Sequence, residues 1–454
     1  MRILIASALI LCSSTTYGQT KLELIDRIIS DINALKQLLL ETLPSPIVLP
    51  VSGAQATLDA VAPGSIVELQ VEGIYPALTI RVNGITLRSL GYNAHNSLPS
   101  RTGLAKIPTL IIESDNVTIL GIEIGGVNSN DLVQCKETAE HIIFKNNYIH
   151  GHPTTGSKRG IALNCTDGTI VYNIIEDIFR VGQDSTGIGG WNGPGPYSIE
   201  NNYIKAASEA ILFGGVDPSI VNLIPSDIVI KNNLLTKDVL WKNKGYSIKN
   251  ALELKNARRV TIENNTIENV WIDGQTGYGV LFSVKNQEGS CTWCTIEDVM
   301  FTKNTIRNVG AGFSILGTDY VFPSGRAARI QIVDNDIELC GPVFNGTGVY
   351  FFINNGPDNL SIINNRTAVC LGGNRPNSFM SFDNENHKLT EMIVTGNLFH
   401  EGSYGILGAN GPGLGVLAWD FYNISPVWNT NTVLKYPNGR TIKYPTGTTI
   451  IPLP

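Results

Sequence analysis

The sequence predicts an all-β solenoid: short strands wind about one axis, and each stacks on its counterpart in the next coil. Three observations carry this. Segments of period-two alternation recur along the chain (NVTILGIEI, HIIFKNNYI, TIVYNII, YSIENNYI, DIVIKNNLL, RVTIENNTI, DVMFTKNTI, RIQIVDNDI, NLSIINNRT, EMIVTGNLF). Aligning them places a corner residue at Ile122, Asn147, Asn173, Asn202, Asn233, Asn265, Asn304, Asn335, Asn365 and Asn397, of which only the first is not Asn. The spacing between corners, 25 to 39 residues, is that of a fixed supersecondary unit. Alternation excludes helical repeats and leaves strands that pair from coil to coil. Asn suits a recurring corner because it tolerates the left-handed backbone of a sharp turn, and its amide can bond to the amides above and below.

Composition agrees. A chain of 454 residues would ordinarily divide into several domains, but a solenoid core grows along its axis. Apolar residues make up 43% and charged residues 16%, which argues against long disordered spans. The formal charge of -6 gives no basic footprint, so nucleic acid and anionic membrane surfaces are excluded as partners, and a polyanion would need a local cationic patch.

In chain order, residues 1–18 read as a secretory signal: one Arg, an apolar run from Ile3 to Leu11, then small and polar residues up to Gly18. That run is too short to span a bilayer, and no later segment has about twenty continuous apolar residues, so the mature chain is expected to be secreted, periplasmic or extracellular. Residues 19–49 hold a helix from Lys21 to Leu43 and a proline-rich break. Ile25, Ile28, Ile32, Leu35 and Leu39 fit a and d positions of a short oligomerisation helix; the alternative is a helix that covers the open end of the repeats. The repeat body is expected over residues 50–421, with entry strands between Ala54 and Leu90. From residue 422 an irregular tail runs back along the body or covers its last coil, because an uncovered end invites edge pairing.

The corner asparagines, together with the strands GIALNC, GIGGWN, AILFGG, ALELKN, GVLFSV, FSILGT, VYFFIN, SFMSFD and YGILGA, resemble the right-handed parallel β-helix of the pectin-lyase-like superfamily. The resemblance covers roughly Ala54 to Phe421. It implies three strands per coil, a tight corner between the second and third, long loops on either side of the first, and sites on the outer face of the first strand. GGVDPSIVNLIPSDI, ELKNARRVTIENN and the GQTG of Gly274 to Gly277 are similar to exported bacterial β-helix proteins of unassigned activity.

Six cysteines follow the signal. Cys340 and Cys370 each lie five residues after a corner, so they should stack about 4.8 Å apart, within disulfide range. Cys135 and Cys165 lie one coil apart, in loops by this reading. CTWC, Cys291 to Cys294, falls in the longest insertion and reads as a loop disulfide, since a redox or zinc role needs a helix N-terminus or a second ligand pair.

Chemistry is expected around ALELKN. Leu252 and Leu254 face the core, which turns Glu253 and Lys255 to solvent; likewise Phe282 and Val284 turn Ser283 and Lys285 outward. Stacking ELKN on SVKN sets Lys285 above Lys255, where like charges about 5 Å apart repel by at most roughly 3 kcal/mol. Such a pair offers a general base and a partner for a sugar carboxylate, which suits β-elimination of a uronate glycan. In the blander account Glu253 bridges the two lysines on a solvated face. Asp217, Asp273 and Gln275 flank this strand, and Glu253 with Asp217 or Asp273 could instead be the carboxylate pair of a glycosidase. Trp191, Trp241 and Trp271 could stack on sugars or anchor loops. No cofactor is expected; calcium held by these acids stays open without a DxDxD spacing. His150 and His152 lack a second ligand source for a metal. The polygalacturonase-like signatures NTD, DD, GHG and RIK are absent, as is RxPxxR, and the WID of Trp271 to Asp273 lacks the following His of a pectate-lyase motif. The expected function is therefore an exported polysaccharide-interacting protein, a uronate lyase or a glycoside hydrolase, with a non-catalytic carbohydrate-binding or adhesion protein as the rival.

Overall fold

The computed structural model describes residues 25–34, 45–383 and 387–453. The expected signal at 1–18 lies outside these residues, as do Leu35 and Leu39 of the expected helix. The chain forms two compact units, Met1–Ile47 and Val48–Pro454. In the first, residues 25–34 are helical, and Ile25, Ile29 and Ile32 are about half exposed.

In the second unit each coil contributes one strand to each of three long sheets. The first strands form sheet 1 (13 strands), the second strands sheet 2 (14 strands) and the third strands sheet 3 (13 strands). One coil runs Leu252–Leu254, Ala257–Glu263 and Thr266–Val270, then loops to Tyr278–Ser283 of the next. Strand pairing is parallel between coils, apart from a short antiparallel pairing of Leu407 and Gly408 with Leu414 and Gly413. The core is filled by columns of like residues, such as Ile230, Ile262, Phe301 and Ile332 on sheet 2 and Val280, Phe313 and Phe351 on sheet 1.

At the tight corner the work is divided between two residues. The left-handed conformation belongs to the residue before the aligned Asn: Asn146, Tyr172, Asn201, Asn232, Asn264, Lys303, Asp334 and Asn364 all have φ between 55° and 57°. This corrects the expectation that the aligned Asn itself takes that conformation. The aligned Asn is buried and uses its side chain instead. Asn265, for example, donates its backbone amide (2.8 Å) and Nδ2 (3.0 Å) to Asn304 Oδ1, while its own Oδ1 accepts the same pair of bonds from Asn233. The column continues past Asn397 to Asn431, so one further coil follows the last corner seen in the alignment. Thr448–Pro452 pairs parallel to that coil.

A short helix, Ala54–Ala60, covers the first coil where only strands were expected: Ala54 and Leu58 are buried, and Gln55 bonds both the amide and the carbonyl of Thr79 at 2.8 Å. All three cysteine pairs are disulfides, with Cα separations of 5.2 Å (Cys135–Cys165), 5.3 Å (Cys291–Cys294) and 5.1 Å (Cys340–Cys370). Cys135 ends a sheet 1 strand, where a loop was expected, whereas Cys165 lies in the turn between Arg159–Leu163 and Thr166–Val171; both are buried in the core.

Candidate functional site on the outer face of sheet 1

Strand alternation puts Leu252 and Leu254 in the core and directs Glu253 to the outer side of sheet 1, between Leu212 and Leu281 of the neighbouring coils. Glu253 is nevertheless 0% exposed, which corrects the expectation of a solvated carboxylate. Asn250 Nδ2 donates to Glu253 Oε2 (2.9 Å), and Lys255 Nζ lies 3.4 Å from Oε1.

A second buried carboxylate lies beside it. Glu209, 2% exposed, accepts from Thr186 Oγ1 (3.1 Å) and has Lys249 Nζ 3.9 Å away; Lys249 in turn bonds Asp184. Burial, and after it the neighbouring Glu253 carboxylate, push the Glu209 carboxyl up to about 8, while Lys249 pulls it down. Beneath these groups Lys237 Nζ donates to the carbonyls of Ala206, Ser208 and Asn250. Burial pushes its ammonium down to about 7, against the attraction of Glu209. One compact cluster thus holds an acid and a base that both titrate near neutrality, an arrangement common at functional sites.

The sequence missed Glu209 for a local reason. Glu209 and Ala210 precede the strand Ile211–Phe213, and the amides of Ala210 and Ile211 both donate to the Ala251 carbonyl (2.9 and 3.2 Å), so strand alternation does not set the direction of Glu209. The only signal was an acid directly before the apolar run AILF. Nothing in LLTKDVLW marked Lys237 as buried.

Lys255 and Lys285 are neighbours through the backbone, since the Lys285 amide donates to the Lys255 carbonyl (3.1 Å). Their ammonium groups go to different partners. Lys285 bonds Asp319 Oδ1 (3.0 Å), whereas Lys255 takes Glu253 and reaches Gln287 Oε1 at 3.5 Å. Each charge has its own carboxylate or amide, so the expected like-charge repulsion is relieved. Glu253 does not bridge the two lysines, and Ser283 is buried rather than exposed.

Asp217 is a loop fastener. Its carboxylate accepts the amides of Gln287 (2.6 Å), Glu288 (3.1 Å) and Ser290 (2.9 Å) and the Ser290 hydroxyl (3.0 Å), while its own amide donates to Glu288 Oε2 (2.9 Å). With these acceptor positions filled, it is not the partner carboxylate of Glu253. The same loop is tied onward: Asn286 Nδ2 donates to the Pro323 carbonyl (2.7 Å), Asn286 Oδ1 accepts from the Cys291 amide (2.8 Å), and the Cys291–Cys294 disulfide closes it. The loops that follow Ile211–Phe213, Tyr278–Ser283 and Ala311–Leu316 therefore form one fixed wall that spans four successive coils along an edge of sheet 1.

On the opposite edge, Trp271 and Trp241 are buried with Phe179, Ile248 and Phe344, and Lys242 Nζ sits 5.1 Å from the Trp271 ring. Trp271 and Trp241 anchor loops and are not free to stack on a sugar. Asp273 is exposed and Gln275 half-buried in the loop above them. Trp191 is half-buried, with the Arg159 guanidinium 4.7 Å from its ring. His150 is spent on Glu123 (3.0 Å). Among the described residues no group of three or more His, Cys, Asp or Glu side chains is placed to hold a metal ion, and no helix is long and apolar enough to cross a membrane.

No family model and no curated protein matches the chain by sequence. By structure it is similar to the Dettilon tailspike protein, with a TM-score of 0.51 and 14% identity over 80% of this chain and 64% of that one, so it spans just under two thirds of the tailspike chain. It is also similar to a mannuronic acid specific polysaccharide family 6 lyase from human gut microbiota, with a TM-score of 0.51 and 12% identity over 90% of this chain and 91% of that one. At these identities the likeness is one of fold. The chain has a right-handed parallel β-helix fold.

Proposed function

We propose that this is an exported protein that engages a uronate-containing polysaccharide along the outer face of sheet 1, between the loop wall and the Trp271 edge, and cleaves it there. The observation that carries the reading is the Glu209–Glu253 cluster with Lys249 and Lys255 at its rim. Lys249 and Lys255 stand at the rim beside Glu253 and Asp184, and a proton on Glu209 removes one negative charge from the cluster, which favours a polyanion on a chain of net negative charge. Lys249 and one of Lys255 and Lys285 would pair with sugar carboxylates. Such pairing draws charge from the carbon beside the carboxylate, eases loss of its proton to the other of these two lysines acting as a neutral amine, and leaves protonated Glu209 as donor to the departing oxygen. Three disulfides support an oxidising compartment and hence export. The two structural neighbours, a tailspike and a mannuronic acid specific lyase, are compatible with a glycan as partner.

A second reading, binding without cleavage, is favoured by one observation: Glu209 and Glu253 are both sealed from solvent. Incubation with a panel of uronate polymers separates the two. Ultraviolet absorbance of an unsaturated product supports elimination; new reducing ends without it indicate hydrolysis. Retardation in affinity electrophoresis with neither signal leaves a binding protein, and no retardation by any polymer refutes both readings.

A further inference from the structure

The loop wall carries an aromatic side chain that sequence reasoning did not single out. Tyr320 is 54% exposed, in the loop that follows strand Ala311–Leu316 of sheet 1. The loop is held from beneath. The Asp319 amide donates to Ser324 Oγ (3.1 Å), Asp319 Oδ1 accepts from the Val321 amide (3.1 Å) and from Lys285, and Oδ2 accepts from the Asn286 amide (2.9 Å). Lys285 Nζ lies 5.5 Å from the centre of the Tyr320 ring and backs it with a cation. Next to it, the Phe322 ring packs close to Gly289, where an added Cβ would come within 3.1 Å of a ring carbon, so the Tyr320 loop and the Asp217-fastened loop support each other. The result is an open aromatic surface whose position is fixed before any ligand arrives, at the rim of the lysine-bearing face.

We propose that Tyr320 is a stacking platform for one pyranose ring of the glycan. The apolar C–H face of a pyranose lies flat on an aromatic ring, and a platform already immobilised loses little side-chain entropy on binding. Tyr320 would thereby set where along the chain of sugars the Lys255 region engages, through a contact that does not depend on the charge of the sugar. This rests on the reading that sheet 1 binds glycan, and the two can fail separately.

The test is calorimetric titration of the wild-type protein and three variants with an oligosaccharide from the polymer that retards it best, at low and at high salt. Tyr320→Ala should weaken binding roughly tenfold, by a factor that does not change with salt. Tyr320→Phe should bind as wild type, and Lys255→Ala should lose affinity chiefly at low salt. Thermal unfolding of each variant checks that the fold is kept. Wild-type affinity in Tyr320→Ala, or equal loss in Tyr320→Phe and Tyr320→Ala, overturns the platform and leaves the glycan reading standing. Failure of the wild-type protein to bind any oligosaccharide overturns both.

Discussion

The side-chain amide of Asn265 donates to Oδ1 of Asn304 at 3.0 Å, although 39 residues of chain separate them. The longest insertion of the solenoid, with the Cys291–Cys294 loop, leaves and rejoins the coil without disturbing this contact. Corners are thus phased independently of loop length, and loops can be shaped for binding while the column keeps the coils aligned.

Replacing Asn265 by Ala removes the acceptor for both donors of Asn233 and leaves Asn304 Oδ1 with only the backbone amide of residue 265 as donor, all at buried positions. Unsatisfied buried groups cost about 1–3 kcal/mol each before relaxation. We expect Asn265→Ala to lose roughly 2–3 kcal/mol in urea unfolding, and a loss below about 0.5 kcal/mol would show that the column adds little.

Glu209 should leave a signature in pH. Its folded-state value is raised from 4.5 to about 8, so the stability it contributes is present below 4.5 and is lost as pH rises through 8. Lys237, lowered from 10.5 to about 7, acts in another window: its contribution is present above 10.5 and is lost as pH falls through 7. Between pH 5 and 7 the Glu209 effect therefore stands nearly alone. Glu209→Gln mimics the protonated carboxyl. The wild-type melting temperature should fall relative to that of Glu209→Gln across this interval, and parallel curves would contradict a raised Glu209.

Asp217→Ala removes the acceptor of four donors in the 287–290 loop. Limited proteolysis should then cut near Gln287–Ser290, with global stability reduced by about 1–3 kcal/mol. If the loop resists cleavage as in the wild type, Asp217 does not fasten it.

The coil phase was legible because each corner repeats one residue type for one physical reason, a buried amide with both a donor and an acceptor. The partition of that corner was not: the alternation marks where the turn falls, and the backbone shows that Asn264 bends while Asn265 bonds. Around the strand Leu252–Leu254, the sequence foresaw one contact of the candidate cluster and not the others. Glu253 and Lys255 do meet, but the acid beside them is Glu209, which lies just before its strand where alternation gives no signal, and not Asp217 or Asp273. Loop side chains such as Asp217 and Trp271 have no periodicity to read, and whether they fasten structure or face a ligand depends on partners about 30 to 70 residues away in sequence. The helix at Ala54–Ala60 was missed because two buried contacts suffice for a cap of two turns and leave almost no pattern.

The central claim is that sheet 1, and no other face, meets an acidic glycan. Amide hydrogen exchange with and without a bound uronate oligosaccharide tests it most directly. Protection should appear in residues 247–256, 283–290 and 319–324 and leave sheets 2 and 3 unchanged. Protection centred on sheet 3 or sheet 2, with those segments exchanging as in the free protein, would contradict it.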